Sequence, residues 1–226
     1  MKQFFSLFLI LVLSISCKQQ APSTESDTTE DSEATDQPVE IARKIKKITK
    51  KDYVADYTSG NFVKQELVSI TTESFNDDSL IEEVTVAIKN ENAEDDVTVY
   101  AYNPKLVSNN KIELYNDSNE LIEIEIHKNN TLYSYEVATP DEPTLVRKYD
   151  KNGNHLMEIS NSGGYLYVTN YDIVSFDEDG FATSANATWT QYVKPSDIDY
   201  FHLDLSNAKE VTKDYHVVDF TYEFYQ

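Results

Sequence analysis

The chain predicts a mainly β fold: an antiparallel hairpin meander forming an open or curved sheet or a sandwich, with a short basic helix at its N-terminal side. Three observations predict it. Residues 215–224 alternate without a break, with His216, Val218, Phe220, Tyr222 and Phe224 on one face and Asp219, Thr221 and Glu223 on the other, the period-two pattern of a half-buried strand. Similar short runs recur at 80–88, 97–102, 121–126, 131–137, 145–149, 165–169 and 198–205, punctuated by Asn, Asp, Gly and Ser at hairpin spacing. Helical periodicity is scarce between these runs and the chain holds only five glycines, which speaks against βαβ crossovers.

Taken from the N-terminus, Lys2 precedes an apolar stretch from Phe4 to Val12 that is too short to remain as a membrane span. Leu13-Ser14-Ile15-Ser16-Cys17 follows, and Cys17 is the only cysteine. This arrangement resembles a bacterial lipobox of the Bacteroidota type, with Ser14 where the commoner pattern has Leu. The resemblance implies a signal peptide over 1–16, cleavage before Cys17, and acyl chains on that residue. At about 0.8 kcal/mol per buried CH₂, two or three chains hold a protein on a membrane. An ordinary secretory signal would instead leave a lone thiol in an oxidising compartment, which is unusual. The expected location is the cell envelope, through an outer-membrane lipid anchor. Lys18-Gln19-Gln20 lacks the acidic pair that resembles a surface-export signal, so the periplasmic face is favoured without being decided.

From Lys18 to Glu40 the chain carries no aromatic residue and is built of Ser, Thr, Asp, Glu, Gln, Pro and Ala. That composition buries too little apolar surface to fold, so 17–40 reads as a lipidated cysteine and an acidic tether spanning roughly 25–30 Å as a flexible coil. Asp27-Thr28-Thr29 and Asp78-Ser79-Leu80 resemble the short O-glycosylation motif of secreted Bacteroidota proteins, which implies Thr28 and Ser79 as acceptors.

Residues 41–226 suffice for one domain with a true core. Acidic residues outnumber basic ones 40 to 19, a net charge of −21, which excludes a nucleic-acid-binding face. Against that balance, Arg43, Lys44, Lys46, Lys47, Lys50 and Lys51 fall together with Ile41, Ile45 and Ile48 at helical spacing. The segment reads as a short amphipathic helix covering one end of an acidic sheet, or else contacting anionic headgroups or an acidic partner.

A degenerate repeat runs through the strands. Phe75-Asn76, Tyr115-Asn116, Tyr149-Asp150 and Phe176-Asp177 each open a polar turn, with Gly153 and Gly180 placed to take a positive φ. The shared unit predicts a hairpin corner: the aromatic ends a strand and the Asx side chain bonds forward to the backbone. Tyr149-Asp150-Lys151-Asn152-Gly153-Asn154 resembles the YD (Rhs-type) hairpin repeat. The resemblance covers one good copy and three degraded ones, and implies a hairpin meander without any catalytic residue.

Asp150-Lys151-Asn152-Gly153 and Asp177-Glu178-Asp179-Gly180 contain fragments of a calcium loop. The twelfth positions are Asn161 and Thr188 rather than Glu, so both are read as turn chemistry and no metal site is expected. His127, His155, His202 and His216 have no zinc-ligand spacing and are read as strand or post-turn residues. Tyr200, His202 and Asp204 would share a strand face, the best catalytic guess in a chain expected to be no enzyme and to hold no cofactor. The 16 tyrosines, Tyr165 and Tyr167 among them, and the single Trp189 are read as core, with stacking on sugars or peptides as the alternative. The expected function is an envelope-anchored, non-catalytic binding or structural β domain, its partner an envelope protein or glycan. The alternatives are an immunity or inhibitor lipoprotein against a cationic toxin, and a carbohydrate-binding or carbohydrate-active surface protein.

Overall fold

The computed structural model describes residues 44–90, 93–138, 142–200 and 202–226. Cys17 and Thr28, and with them the expected signal peptide 1–16 and the expected tether 17–40, lie outside the described residues. Thirteen strands follow one another: β1 (Ile45–Thr58), β2 (Asn61–Phe75), β3 (Ile81–Ile88), β4 (Asp96–Ala101), β5 (Asn103–Ser108), β6 (Lys111–Tyr115), β7 (Leu121–Lys128), β8 (Thr131–Glu136), β9 (Leu145–Tyr149), β10 (His155–Ser162), β11 (Tyr165–Phe176), β12 (Ala182–Val193) and β13 (Glu210–Phe224).

They form one antiparallel sheet in the order β4-β3-β2-β1-β13-β12-β11-β10-β9-β8-β7-β6-β5. Every neighbour is consecutive in sequence except β1 and β13, which join the two ends of the domain from Ile45↔Phe224 to Val54↔His216. The two outer strands, β4 and β5, are separated by Tyr102 alone. The sheet therefore curls into a nearly closed barrel whose seam lies where the chain passes from β4 to β5, the usual solution to exposed sheet edges.

From Ile45 on, the basic segment expected as a helix is the start of β1, and Ile41 and Arg43 lie outside the described residues. Ile45 and Ile48 lie three residues apart, which puts them on opposite faces of a regular strand. A register shift between Ile45 and Lys47 absorbs one residue, so the bulge returns both isoleucines to the inner face. Pairing with both β2 and β13 outweighs the local helical spacing. Of residues 198–205, expected as a strand, 198–200 and 202–205 are irregular and lie between β12 and β13. There Ile198, Tyr200, Leu203 and Leu205 pack over Val146, Ile159, Leu166 and Val168 on the outside of the barrel.

Alternation explains the two cores. Val146 and Ile159 sit next to Arg147 and Glu158 in sequence, so they point outward where those charges point inward. The inner core gathers Ala182, Ala185, Ala187, Val218 and Phe220, with Tyr171, Ile173 and Tyr222 against it. Small residues on β12 leave room for the large rings of β11 and β13: Tyr171 pairs across from Ala187, and Ala185 from Val218. Residues 218–224 keep the expected alternation, Val218 and Phe220 buried while Thr221 and Glu223 are exposed. Trp189 is half-buried and stacks on Tyr167, ring centres 5.6 Å apart.

The four Asx corners share one set of hydrogen bonds. At Asn76, the Oδ1 accepts from the amides of Asp78 and Leu80, each at 3.0 Å. Asn116 accepts from Ser118 and Glu120 at 3.0 and 2.9 Å, Asp150 from Asn152 and Asn154 at 2.8 and 2.9 Å, and Asp177 from Asp179 and Phe181 at 3.0 and 2.8 Å. The fourth corner residue always has a positive φ: Ser79 at 63°, Asn119 at 59°, Gly153 and Gly180 at 86°. A register shift accompanies the aromatic in each case, at Phe75, Tyr115, Tyr149 and Phe176. This is a turn followed by a bulge. The carboxylates of Asp150 and Asp177 are thus occupied by backbone amides.

Candidate functional site: a polar chamber inside the barrel

A chamber of about 230 Å³ opens inside the barrel at the end where the corners at Asn76, Asp150 and Asp177 lie. Its walls come from strands all round the sheet: Ile45 and Ile48 of β1, Ile112 of β6, Leu132 of β8, Phe220 and Tyr222 of β13, with Phe181 at the rim. Phe75, Tyr149 and Gly153 of the repeat, and Ser79 beside them, line it too.

The chamber is polar at its base. Lys50 Nζ donates to Glu73 Oε1 at 2.7 Å, their side chains 18% and 9% exposed. Arg147 Nε donates to Glu158 Oε2 at 2.9 Å. Burial raises the Glu73 carboxyl, but the charges of Lys50 and Arg147 and the Lys50 hydrogen bond outweigh it and bring the pKa to about 2. Burial likewise disfavours the Arg147 charge, and the Glu158, Tyr149 and Glu73 oxygens more than restore it. Two complete ion pairs therefore stand in the barrel interior, each with its desolvation offset by its partner.

His155 completes the base. Its ring lies between Tyr149, at 5.3 Å and 25°, and Tyr171, at 4.6 Å and 27°. Burial, helped by the charges of Lys50 and Arg147, pushes its pKa well below the usual value, so the imidazole is neutral at physiological pH. Its Nε2 has no hydrogen-bond partner among the described residues, and the Glu158 carboxylate stands 4.0 Å away. The residue is only 7% exposed, and leaving such a nitrogen unsatisfied costs about 1–3 kcal/mol. His216 by contrast reaches Asp52 Oδ1 at 2.8 Å, a hydrogen bond that raises its pKa against the effect of burial.

A second cavity of about 380 Å³ meets the chamber at Arg147 and Glu125. Glu123 lies there opposite Glu136 on the neighbouring strand. Burial first, then the nearby charge of Glu125, raises Glu123 to about 7 against the pull of Arg147. Desolvation takes Tyr102, on the facing wall, up to about 12.

The structure does not assemble Tyr200, His202 and Asp204 into a site. The Tyr200 hydroxyl donates to Glu142 Oε1 at 3.1 Å and accepts from Asn161 Nδ2 at 2.9 Å. His202 is an exposed side chain beside Asp199, 3.1 Å away, and Asp204 caps the amide of Ser206. Among the described residues, no group of three His, Cys, Asp or Glu side chains is placed to hold a metal ion. The sequence reading missed Lys50, Glu73, Arg147 and Glu158, yet a signal existed. Glu73 and Arg147 stand two residues before Phe75 and Tyr149, hence on the same face as the corner aromatics. Lys50 stands two after Ile48.

No described protein family and no curated protein matches the chain. Among solved structures it is similar to a porin-like protein from Bacteroides uniformis. That similarity has 9% identity and a TM-score of 0.33, and covers 79% of this chain and 96% of that one.

Proposed function

We propose that this chain is a cell-envelope lipoprotein, held on the outer membrane through Cys17, whose non-catalytic β barrel binds a small ligand in its interior chamber. The observation that carries the reading is the neutral, unpartnered Nε2 of His155 in a chamber with apolar walls and a charge-compensated base. A ligand with an apolar body and one hydroxyl or N–H donor suits such a site, since the walls are apolar and the unsatisfied acceptor of His155 lies at the base. At about 230 Å³ the space is smaller than the ~300–1,000 Å³ of drug-sized pockets, so the occupant is small.

Phenol, which has this chemistry, is the probe. Its titration should shift the methyl resonances of Ile45, Ile48, Ile81 and Ile112 saturably, and Ile48→Trp, which fills the chamber, should abolish the shifts while the circular dichroism is retained. Shifts that survive Ile48→Trp, or that spread over outward-facing residues, would remove the chamber reading. Anchoring has its own test: intact mass of membrane-expressed protein should show acyl chains on a chain beginning at Cys17, and Cys17→Ala should release an unlipidated product.

The outer face supports a second, carbohydrate-binding reading. Tyr57 and Tyr215 stack at 4.6 Å and 17°, with Phe62 edge-on to both. Asn186 and Thr188 line the same shallow pocket of about 450 Å³. Flat rings beside amides and hydroxyls suit a sugar. Glycan-array binding lost in Tyr57→Ala and retained in Ile48→Trp would assign recognition to this face.

A further inference from the structure

We propose that the free edge of β4 is a docking strand for an extended, basic peptide segment of a partner protein. The site is separate from the chamber, so the failure of either reading leaves the other standing.

The ladder fixes which groups are available. β4 pairs with β3 in unbroken register from Glu83↔Ala101 to Ile88↔Asp96, and the next amide, Tyr102 N–H, donates to Glu82 O at 2.7 Å. Neighbouring residues in a strand aim their backbone groups to opposite sides. Tyr102, Tyr100 and Thr98 therefore face β3, while the N–H and C=O groups of Val97, Val99 and Ala101 face away. β4 is the last strand of the sheet on that side, and these groups have no backbone partner among the described residues.

Among the described residues, nothing fills the space beside them. A cleft of about 770 Å³ separates Tyr100, Ala101 and Tyr102 from the start of β7 and the end of β8. Natural edges are blunted by proline, lysine or a covering segment. β5 carries Pro104 and Lys105, whereas β4 presents Val97 and Val99, each 55% exposed, without either device.

Charge selects the occupant. Glu123 and Glu136 stand opposite each other on β7 and β8 and line the cleft, in a chain of net charge −21. A strand added to β4 alternates its side chains between the two faces. Lysines or arginines at every second position would stand against these two carboxylates and relieve their mutual repulsion. A second copy of this chain would bring the same acidic edge into contact and is disfavoured.

The probe is the octapeptide Thr-Lys-Thr-Lys-Thr-Lys-Thr-Lys, titrated into the full chain at low ionic strength and followed by amide chemical shifts and calorimetry. It should saturate with shifts centred on Val97, Val99 and Ala101, and a Thr-Glu octapeptide should not bind. Val99→Pro removes an outward N–H without touching the β3 ladder, and should weaken binding at least tenfold with unchanged circular dichroism. A Thr-Lys peptide N-methylated at alternate residues gives the same information on the unaltered protein and should lose affinity equally. Glu123→Gln with Glu136→Gln should weaken binding severalfold and flatten its salt dependence. Failure of the Thr-Lys peptide to bind, equal binding of the Thr-Glu peptide, or indifference to both Val99→Pro and N-methylation would overturn the proposal. So would a self-association in sedimentation that Val99→Pro abolishes, since the edge would then belong to a second copy.

Discussion

Asn154 offers the sharpest test of how the barrel is held at its chamber end. Its side chain is 1% exposed and spans two corners. Nδ2 donates to Asp150 Oδ2 at 2.9 Å and to the Gly180 carbonyl at 3.1 Å, while Oδ1 accepts from the Ala182 amide at 2.7 Å. Asn154→Ala deletes all three bonds and leaves the amide of Ala182, a residue 1% exposed, without a partner. The bond to Asp150 is charge-assisted and contributes about 1.5–3 kcal/mol, and the stranded amide costs about 1–3 kcal/mol, so the expected loss is about 3–5 kcal/mol. For a domain of this size that lowers Tm by roughly 10 °C. Urea denaturation monitored by Trp189 fluorescence gives the loss directly. Asn116→Ala is the control, because its corner bonds are solvent-exposed and their removal should cost about 1 kcal/mol. Equal losses in the two variants would show that the strut between corners carries no particular weight. Asn154→Asp keeps the acceptor for Ala182 but sets a carboxylate against Asp150, so its deficit should shrink on acidification.

Three further outcomes follow from named groups. Glu73 is held at about 2 in the folded protein against an ordinary value near 4.5, a depression equivalent to about 3 kcal/mol; that stability is present above pH ~4.5 and lost as pH falls toward ~2, and Glu73→Gln should flatten the acid limb of urea midpoints taken between those values. Glu123 has the opposite sign, its folded pKa of about 7 lying above the unfolded one. The fold loses stability as pH rises from ~4.5 to ~7, so Glu123→Gln should be more stable than the parent by about 1 kcal/mol at pH 8 and no more stable at pH 4. At the corners, Gly180→Ala forces alanine to φ 86° at a cost of about 1–2 kcal/mol, whereas Ser79→Gly, at φ 63°, should be neutral or stabilising in thermal melts.

The antiparallel meander was legible because two signals agreed, alternation within strands and Asx turns between them. The strand at 145–149 coincides with β9, and most others differ at their ends, as when residues 165–169 extend to Phe176 in β11. Local pattern failed where distant pairing decided the outcome. Ile45 and Ile48 read as helical because a bulge imitates the spacing of a helix, and 198–205 read as a strand because its apolar residues are spent on covering an outer face. β12 escaped notice because Ala185 and Ala187 hold its buried inward positions, weak β-formers matched to the large rings of Tyr171 and Phe220 on the strands to either side. The chamber itself was invisible for a related reason. Lys50 and Glu73 are 23 residues apart, and nothing local states that β1 and β2 face one interior.

The corner repeat acquires a role once the chamber is in view. Three of its four copies, at Asn76, Asp150 and Asp177, stand at the chamber end, and Ser79, Gly153 and Phe181 line the opening. A loop rim of ordinary flexibility would blur a cavity of this size, whereas each corner is fixed by two side-chain and two backbone hydrogen bonds. Asn154 then joins the second of these corners to the third through Gly180 and Ala182. At the equivalent position the other corners carry Leu80, Glu120 and Phe181, none of which supplies both a donor and an acceptor in so short a side chain. The buried Asn154 side chain thus braces β9–β10 against β11–β12, on the side where His155 and Tyr171 form the base, while the Asn76 corner is tied by the Tyr225 hydroxyl, which donates to the Phe75 carbonyl, and by Lys44 Nζ, which donates to the Asp77 carbonyl at 2.7 Å. The ties at the Asn76 corner are exposed or part-buried where the Asn154 strut is buried, so ligand access and any breathing of the chamber should be concentrated there. Hydrogen exchange at Ser79 and Leu80 faster than at Gly153 and Asn154 would establish this asymmetry, and equal protection would refute it.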